Sequence, residues 1–389
     1  MSISTPSHVS TRSSSNRRYE ASVIIPTFNN RRLLQLSLLG FAHQTCPDDA
    51  FEIIVVDDGS TDHPAELLDQ LNARFGERLR VIRQPNQGRS SARNNGIGHA
   101  RGDILIFIDA DCVPKPEYVA AHLNTHRGHE NKVVIGAKYE ALTYWTNALP
   151  AEVLVTLETL SGHSAVVREN IASARSGNEV AFVSPDAMEK SFAAISPYVL
   201  GKLSLNMDAV YEQFSTTLEG FQIPWILFVT QNVSVHRNLI DRAGGFDESY
   251  SGWGYEDSDL GFRLHEVGAR FEYCDVAATL HQMHPGGNLG SLLQWKECAK
   301  NYARFCQKFP CLEVVLHWRY VADLLSFSAY NEVVLDFQRP EVPEALRADY
   351  LSLSTQMAKI YCDSDDPRPA ETQRRFAPPD LPVFKPVAS

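Results

Sequence analysis

Strand-like and helix-like segments alternate along the chain from about residue 21 to residue 108. The strand-like segments are short apolar runs rich in Val and Ile, and turn-forming residues lie between them and the helix-like stretches. Strands separated by helices of this length need parallel crossover connections, so the pattern predicts an α/β fold with a doubly wound sheet. The predicted strands cover residues 22–26, 51–56, 79–82 and 104–108, and the predicted helices cover 31–42, 64–75 and 90–100.

Two carboxylates stand one residue apart directly after the fourth predicted strand, in Asp109-Ala110-Asp111. The carboxyl ends of parallel strands share one edge of a sheet, and open α/β sheets bind their ligands at that edge. Carboxylate oxygens suit Mg²⁺ or Mn²⁺, which keep positions open for the phosphates of a substrate. An acidic turn without a ligand is the alternative, because Asp is a common turn residue.

A second acidic group lies between Trp253 and Phe262, where Glu256, Asp257 and Asp259 fall within four positions. The group follows an aromatic-glycine turn and precedes an apolar, helix-like run. Like charges this close repel, so the arrangement favours proton abstraction, binding of sugar hydroxyls or capping of a helix N-terminus. The acidic motif at the fourth strand shifts the interpretation from capping towards chemistry.

Composition and charge exclude several classes of protein. The 389 residues can form one large domain or two, and the net charge of −11 argues against a general nucleic-acid-binding protein. An acidic enzyme can still bind an anionic nucleotide where a metal ion supplies positive charge. The seven cysteines include no Cys-x-x-Cys pair, which favours a reduced, cytoplasmic location. No run of about 18 apolar residues occurs, so we expect no membrane-spanning helix.

Three segments fall outside the alternating pattern. Residues 1–19 are rich in Ser and Thr and lack an apolar stretch, so we expect a disordered tail, with a transit peptide as the alternative. Residues 143–228 have mainly helical patterns, including 153–160 and 188–211, and are too long for a loop. We expect a helical insertion that binds the acceptor, acts as a lid or forms a homodimer contact. Residues 291–389 are a predicted helical extension with a proline-rich tail.

Six short motifs occur in order along the chain. They are Val23-Ile24-Ile25-Pro26-Thr27-Phe28-Asn29, Val55-Val56-Asp57-Asp58-Gly59-Ser60, Asn86-Gln87-Gly88 through Ala92-Arg93-Asn94, Asp109-Ala110-Asp111, Gly244-Gly245-Phe246-Asp247 and Trp253-Gly254-Tyr255-Glu256-Asp257. The ordered set resembles the family 2 glycosyltransferases of the GT-A fold. The resemblance covers residues 20–290 apart from the insertion. Residues 244–264 also resemble the C-terminal half of galactosyltransferase and chondroitin-polymerase catalytic domains.

The resemblance implies a Rossmann-like mixed, mostly parallel sheet flanked by helices, and a nucleotide-sugar donor. Asp58 resembles the carboxylate that accepts a hydrogen bond from the uracil imide, which implies a UDP-sugar, while Asp57 is expected to be structural. Gly88 is expected to allow close approach of the backbone, with a simple turn as the alternative. Arg93 is expected to contact the base or the pyrophosphate, with a surface ion pair as the alternative. The residues expected to line the nucleotide base are Pro26, Thr27, Phe28 and Asn29.

The resemblance also implies a metal site. Asp111 is the expected ligand, and Asp109 is expected near the ribose or bound to the metal through water. His281 resembles the histidine that completes the site in chondroitin-polymerase-like enzymes, and His284 is the alternative. One imidazole among oxygen ligands favours Mn²⁺ over Mg²⁺ slightly.

Asp257 matches the general base of the Glu-Asp motif in this family, which implies a single displacement and inversion at the anomeric carbon. Glu256 and Asp259 are expected to bind acceptor hydroxyls or to hold the loop. Trp253 is expected to stack on a sugar ring, with a role in the core as the alternative. The acceptor itself is left open among a saccharide, a small natural product and a peptide.

One departure from the family pattern concerns processivity. Processive synthases of this family carry Gln-x-x-Arg-Trp after the Glu-Asp region, and this chain has only the fragment Gln294-Trp295-Lys296. Transfer of a single sugar is therefore expected. A sugar nucleotidyltransferase is disfavoured because the first strand is not followed by a glycine-rich loop, which leaves a non-catalytic sugar-nucleotide-binding scaffold as the main alternative.

Overall fold

The computed structural model describes residues 19–145, 149, 151–160, 165–176, 178–202, 207–284 and 291–375. The expected N-terminal tail, apart from Tyr19, and the last fourteen residues of the expected proline-rich tail lie outside these ranges.

Within the described residues the chain forms eleven strands and sixteen α-helices. The strands are β1 (Ala21–Thr27), β2 (Phe51–Asp57), β3 (Leu79–Arg83), β4 (Ile104–Ile108), β5 (Cys112–Pro114), β6 (Lys132–Ala141), β7 (Tyr144–Trp145), β8 (Val180–Ala181), β9 (Val199–Lys202), β10 (Asn232–His236) and β11 (Arg270–Gln282). The helices are α1 (Arg31–Phe41), α2 (Ala65–Phe75), α3 (Arg89–His99), α4 (Tyr118–His126), α5 (Ala151–Leu160), α6 (Ala165–Arg175), α7 (Pro185–Lys190), α8 (Met207–Phe214), α9 (Arg237–Ala243), α10 (Glu256–Glu266), α11 (Leu292–Lys308), α12 (Leu312–Val315), α13 (His317–Val321), α14 (Phe327–Gln338), α15 (Glu344–Cys362) and α16 (Pro369–Arg375).

Nine strands form one mixed sheet in the order β3-β2-β1-β4-β10-β6-β11-β5, with β9 paired to β6. The strands β1 to β4 pair in parallel, whereas β10 is antiparallel to both β4 and β6. Because β11 is parallel to β6, the carboxyl ends of β1, β2, β4, β6 and β11 all lie at the same edge as the start of β10. The predicted α/β fold and its mixed sheet are confirmed.

Helices cover both faces of this sheet, and the side chains of β1 alternate between two cores. Val23 and Ile25 pack with the helices from α1 to α7, apart from α3, while Ile24 packs on the opposite face with α3, α10 and the C-terminal helices. Helix α3 lies very close to β1, because a Cβ at Gly96 would be only 2.6 Å from Cγ2 of Ile24. The helices α3 and α10 therefore share one face of the sheet, which brings their first turns together.

The expected helical insertion, residues 143–228, contains strands as well as helices. Four short helices, α5 to α8, alternate with β7, β8 and β9, and β9 joins the main sheet. The prediction that residues 188–211 are helical was wrong for the part that forms β9. Pro197 lies in a 3-10 turn from Phe192 to Tyr198, and β9 follows directly because its backbone pairs with β6. The last part of the segment enters the core, where Trp225 is fully buried.

The C-terminal extension is helical over its described part, from α11 to α16. Helix α11 begins with a capping box, in which the side chains of Ser291 and Gln294 bond reciprocally to backbone amides. All seven cysteines carry free thiols. No helix within the described ranges is long and apolar enough to cross a membrane.

Candidate active site

A cleft of about 1040 Å³ lies at the sheet edge where the carboxyl ends of the parallel strands meet. The segments after β1, β2 and β4 line one side, and the residues before β10 and α10 line the other. This volume is large enough for a nucleotide and part of a second substrate. The sequence motifs separated by up to about 250 residues are therefore brought together in one place.

The carboxyl end of β1 and the residue after it form one wall of the cleft, through Pro26, Thr27 and Phe28. Phe28 is 49% exposed, which is unusual for a large apolar side chain. The Thr27 hydroxyl is buried and has no hydrogen-bond partner among the described residues. Asn29 does not line the cleft. Its side chain accepts a hydrogen bond from the Thr61 amide at 2.7 Å, so it holds the neighbouring loop.

Asp58 is buried at the back of the cleft and fixes the loop before α3. Its Oδ1 accepts from Nε2 of Gln84 at 2.8 Å and from the amide of Gln87 at 2.9 Å, and its Oδ2 accepts from the amide of Gly88 at 2.9 Å. Gly88 has φ +90°, a conformation that favours glycine, and a Cβ there would point into open space. Asp57 accepts from the amide of Ser60 at 3.0 Å, a structural contact as the sequence predicts.

Arg93 is the centre of an ion-pair cluster on the cleft floor. Its guanidinium nitrogens lie 3.2 Å from Asp109 Oδ1, 3.2 Å from Glu256 Oε1 and 3.5 Å from Asp257 Oδ1. Burial alone would lower the pKa of this group, but the three carboxylates outweigh burial and raise the pKa above its ordinary value. Arg93 thus links the acidic motif after β4 to the acidic motif of α10. Its guanidinium is buried in these ion pairs, so the alternative of a surface ion pair is wrong.

Asp257 is held from two sides at the start of α10. Its Oδ2 accepts hydrogen bonds from the backbone amide and the hydroxyl of Thr230, both at 2.9 Å, while its Oδ1 faces Arg93. Burial raises the pKa of the Asp257 carboxyl to about 6, with Arg93 opposing the shift and Glu256 adding to it. A carboxylate with that pKa is a competent proton acceptor near neutral pH.

Arg89, which the sequence reasoning missed, lies in the same cleft and contacts both Glu256 and Trp253. The Arg89 guanidinium lies 3.5 Å from Glu256 Oε1 and stands over the Trp253 ring, 5.3 Å from its centroid. Arg89 precedes Arg93 by one helical turn, so the spacing was a usable signal. Thr230 was also missed, because no local pattern marks a hydroxyl next to a distant carboxylate.

Asp259 lies outside the cleft, which corrects the expectation that it binds the acceptor. Its side chain is fully buried, and Oδ1 accepts from Nε of Arg263 at 2.6 Å. Its Oδ2 lies 2.7 Å from Nζ of Lys308 and accepts from the Tyr250 hydroxyl at 3.1 Å. Asp259 therefore anchors α10 to α11.

Asp111, His281 and His284 present one donor atom each within 4.8 Å of one another. Nε2 of His284 lies 3.2 Å from Asp111 Oδ2, and Nε2 of His281 lies 3.8 Å from the same oxygen. Burial would raise the pKa of Asp111, but the hydrogen bond with His284 and the charge of His281 lower it. One carboxylate and two imidazoles fit a divalent transition metal. Asp109 pairs with Arg93 and is not part of this group.

Two family models match the chain. One is described as glycosyl transferase family 2 and covers residues 22–164, and the other is described as the N-terminal domain of galactosyltransferase and covers residues 214–285. Both segments supply residues of the cleft.

Individual relatives extend the match over most of the described chain. The uncharacterized glycosyltransferase YfnE of Bacillus subtilis is 32% identical over 293 residues, which are 75% of this chain and 70% of that protein. The validoxylamine A glucosyltransferase of Streptomyces hygroscopicus subsp. limoneus is 31% identical over 307 residues, which are 76% of this chain but only 58% of that protein.

Among solved structures, the mannosyltransferase PcManGT from Pyrobaculum calidifontis, in complex with GDP-Man and Mn²⁺, has a TM-score of 0.51 at 16% identity. The match covers 93% of this chain and 88% of the mannosyltransferase chain. This likeness concerns the fold, which is the GT-A fold. The Bacillus subtilis glycosyltransferase is 32% identical to this chain over 70% of its own length, and the family 2 model matches residues 22–164. The chain therefore belongs to glycosyl transferase family 2 and is an enzyme that transfers sugars.

Proposed function

We propose that the chain moves one sugar from a nucleotide-sugar to a nucleophile of an acceptor, non-processively and with inversion of the anomeric configuration. The observation that carries the proposal is the Asp257 carboxylate, with its pKa of about 6, in the same cleft as the group Asp111, His281 and His284. A proton acceptor and a candidate cation site are the two elements that a displacement from a diphosphate leaving group needs.

In this reaction Asp257 takes the proton from the acceptor nucleophile. The nucleophile forms a bond to the anomeric carbon as the bond from that carbon to the diphosphate oxygen breaks, and the nucleoside diphosphate leaves. Because attack comes from the opposite face, an α-linked donor gives a β-linked product. The two hydrogen bonds from Thr230 fix one carboxylate oxygen, so the orientation of the base is set before the substrate arrives.

A UDP-sugar is the proposed donor, held by Pro26, Thr27, Phe28 and Asp58. A carboxylate offers about four lone-pair sites, and the three hydrogen bonds to Asp58 leave one for the N–H of the uracil imide. The buried Thr27 hydroxyl offers a further partner. The mannosyltransferase of similar fold was solved with GDP-Man, so a GDP-sugar is the competing donor.

The proposed metal ligands are Asp111, His281 and His284, with Asp109 near the ribose or bound through water. When bound, a divalent cation there would neutralise the charge that develops on the diphosphate. The two imidazoles favour Mn²⁺ over Mg²⁺. The role of Arg93 is proposed to be indirect, because its contacts are with the acids of the cleft.

The proposed acceptor site lies beside Glu256 and Trp253. The Trp253 ring offers an apolar face for a sugar or another small ring. A saccharide, a small natural product and a peptide remain the candidate acceptors, and one relative is named for glucosylation of validoxylamine A. That name makes validoxylamine A the first acceptor to assay.

The first experiment is calorimetric titration with UDP, GDP, CDP and TDP, with and without Mn²⁺. We expect UDP binding that depends on Mn²⁺ and is lost in Asp111→Ala. The matched control is Asp275→Ala, an exposed acid outside the cleft, which should bind as the wild type does. Absence of nucleotide binding under every condition would refute the metal and donor assignments and favour the scaffold alternative.

The second experiment separates binding from chemistry. Asp257→Asn should bind UDP with Mn²⁺ as the wild type does, because Asp257 contacts Arg93 and Thr230 and not the proposed base-binding wall. Transfer should fall by about 10²- to 10⁴-fold, the usual contribution of a general base. Near wild-type turnover in this variant would refute the role of Asp257. NMR of the product tests inversion directly.

A further inference from the structure

The catalytic base is preceded by a loop with an unusual backbone. In residues 251–255, Gly252, Gly254 and Tyr255 all have positive φ, with values of 76°, 86° and 73°. Glycine adopts this conformation freely, but for a bulky residue such as tyrosine it is strained and persists only where the surroundings impose it. Something outside the loop must therefore hold it in the conformation that starts α10 and presents Glu256 and Asp257.

One side chain of α11 forms hydrogen bonds with three backbone carbonyl groups of this loop. Nδ2 of Asn301 lies 3.0 Å from each of the carbonyl oxygens of Ser251, Trp253 and Gly254, and its two N–H groups are shared among these three acceptors. Asn301 is 2% exposed. A buried amide that loses its acceptors destabilises the fold, so alternative loop conformations that turn these carbonyls away from Asn301 are disfavoured.

Other residues on the same face of α11 complete the contact. Oε2 of Glu297 accepts a hydrogen bond from the Trp253 amide at 3.2 Å. The ring of Tyr255 packs against Tyr302 and Phe305, with centroids 5.2 Å and 5.8 Å away. Because Glu297, Asn301 and Phe305 are four residues apart, they lie on one face of the helix.

We propose that Asn301 is a positioning residue for sugar transfer, and that α11 is part of the catalytic unit. Asn301 acts through the loop 251–255, which sets the first turn of α10 and hence the distance of Asp257 from Thr230 and Arg93. This inference rests on the proposed role of Asp257. It extends the functional machinery into the C-terminal extension, beyond residue 285, where the matching family models end.

The test compares Asn301→Asp with the matched control Asn331→Asp. Both substitutions keep the shape of the side chain and remove an amide donor from a buried asparagine that is 2% exposed. Asn331 lies on α14, and its side chain accepts from the Gln222 amide at 2.6 Å and donates to the Gly220 carbonyl at 3.5 Å. Its contacts therefore stabilise the extension without touching the loop 251–255.

The assay measures UDP release from UDP-glucose in Mn²⁺, with water as the nucleophile that takes the glucose. It is combined with UDP affinity, melting temperature and hydrogen exchange of the peptide spanning residues 250–258. For Asn301→Asp we expect kcat to fall by at least about tenfold, because small misplacements of reacting groups cost up to about 10²-fold. UDP affinity should be kept, and exchange in the 250–258 peptide should increase. Asn331→Asp should lower the melting temperature but keep kcat and that exchange rate.

Unchanged hydrogen exchange and kcat in Asn301→Asp would overturn the inference, as would an equal loss of kcat in Asn331→Asp at matched stability. If Asn301→Asp does not fold, Glu297→Met removes only the acceptor of the Trp253 amide and should change kcat and exchange in the same direction. The proposed function fails separately, if the wild type binds no nucleotide. The exchange measurement does not depend on that result.

Discussion

Replacing Arg93 by methionine should move the acidic limb of the pH–rate profile to higher pH. Asp257 must be deprotonated to accept a proton, so the rate rises with pH through its pKa of about 6. Arg93 opposes protonation of that carboxylate, since its guanidinium lies 3.5 Å from Asp257 Oδ1. Without the positive charge, only the hydrogen bonds from Thr230 oppose burial and the nearby Glu256 and Asp109, so protonated Asp257 is favoured.

The size of the effect follows from the distance. Two unit charges 3.5 Å apart interact by roughly 5 kcal/mol at an effective dielectric constant of about 20. Measured effects of one neighbouring charge are smaller, about 1–3 pKa units, because the site relaxes. We therefore expect the limb to move up by about 1–3 pH units in Arg93→Met. At pH 6.5 that shift lowers kcat/KM by about threefold for one unit and by about 200-fold for three units, because the deprotonated fraction of Asp257 falls by those factors.

The assay is the pH dependence of kcat/KM for UDP release between pH 5 and pH 9, because this ratio reports the pKa of the free enzyme. The position of the limb does not depend on the fraction of folded enzyme, which matters because uncompensated buried carboxylates can cost about 3–5 kcal/mol of stability. Arg93→Lys keeps the charge and should shift the limb less. Arg89→Met removes a guanidinium that contacts Glu256 but has no ion pair with Asp257, so its limb should stay close to pH 6. An unshifted limb in Arg93→Met would refute this account of the cluster.

Three further outcomes are expected. Asp259→Asn should lower the free energy of unfolding in urea by about 3–5 kcal/mol, because it leaves Arg263 without its buried partner, and should leave the acceptor KM unchanged. A raised KM with normal stability would contradict that. Thr27→Val should weaken UDP binding by about 0.5–1.5 kcal/mol in calorimetry, and unchanged affinity would exclude the hydroxyl from the donor site. His281→Ala and His284→Ala should each weaken Mn²⁺ binding, and a variant that binds Mn²⁺ normally removes its histidine from the ligand set.

The architecture was predictable because its signals are local. Each strand from β1 to β4 is a short apolar run, and parallel pairing then places their carboxyl ends at one edge. The structure of the segment 188–211 was harder to predict, because β9 pairs with β6, about 60 residues earlier in the chain. Such a distant pairing leaves little local pattern in the sequence. Helical spacing alone could not show that a four-residue strand would form there.

Some features of the site residues could be predicted from local sequence, and others depend on tertiary contacts. The sequence could have shown that Asp259 does not face the cleft. It follows Asp257 by two positions and therefore points about 200° away around a helix. The partners of Arg93 were not predictable, because they come from the end of β4 and the start of α10. The hold of Asn301 on the loop 251–255 also depends on tertiary packing, which places the middle of α11 against that loop.

The charges of the cleft predict that the proposed anionic donor binds only together with a cation. Among the described residues that line the cleft, six are carboxylic acids and two are arginines, Arg89 and Arg93. Both arginines are already paired with Glu256, so neither offers its full charge to a diphosphate. A diphosphate that entered unaccompanied would meet a net negative surface, whereas one that arrives with a divalent cation brings the missing positive charge to Asp111. Nucleotide affinity should therefore depend on the cation more steeply than on ionic strength.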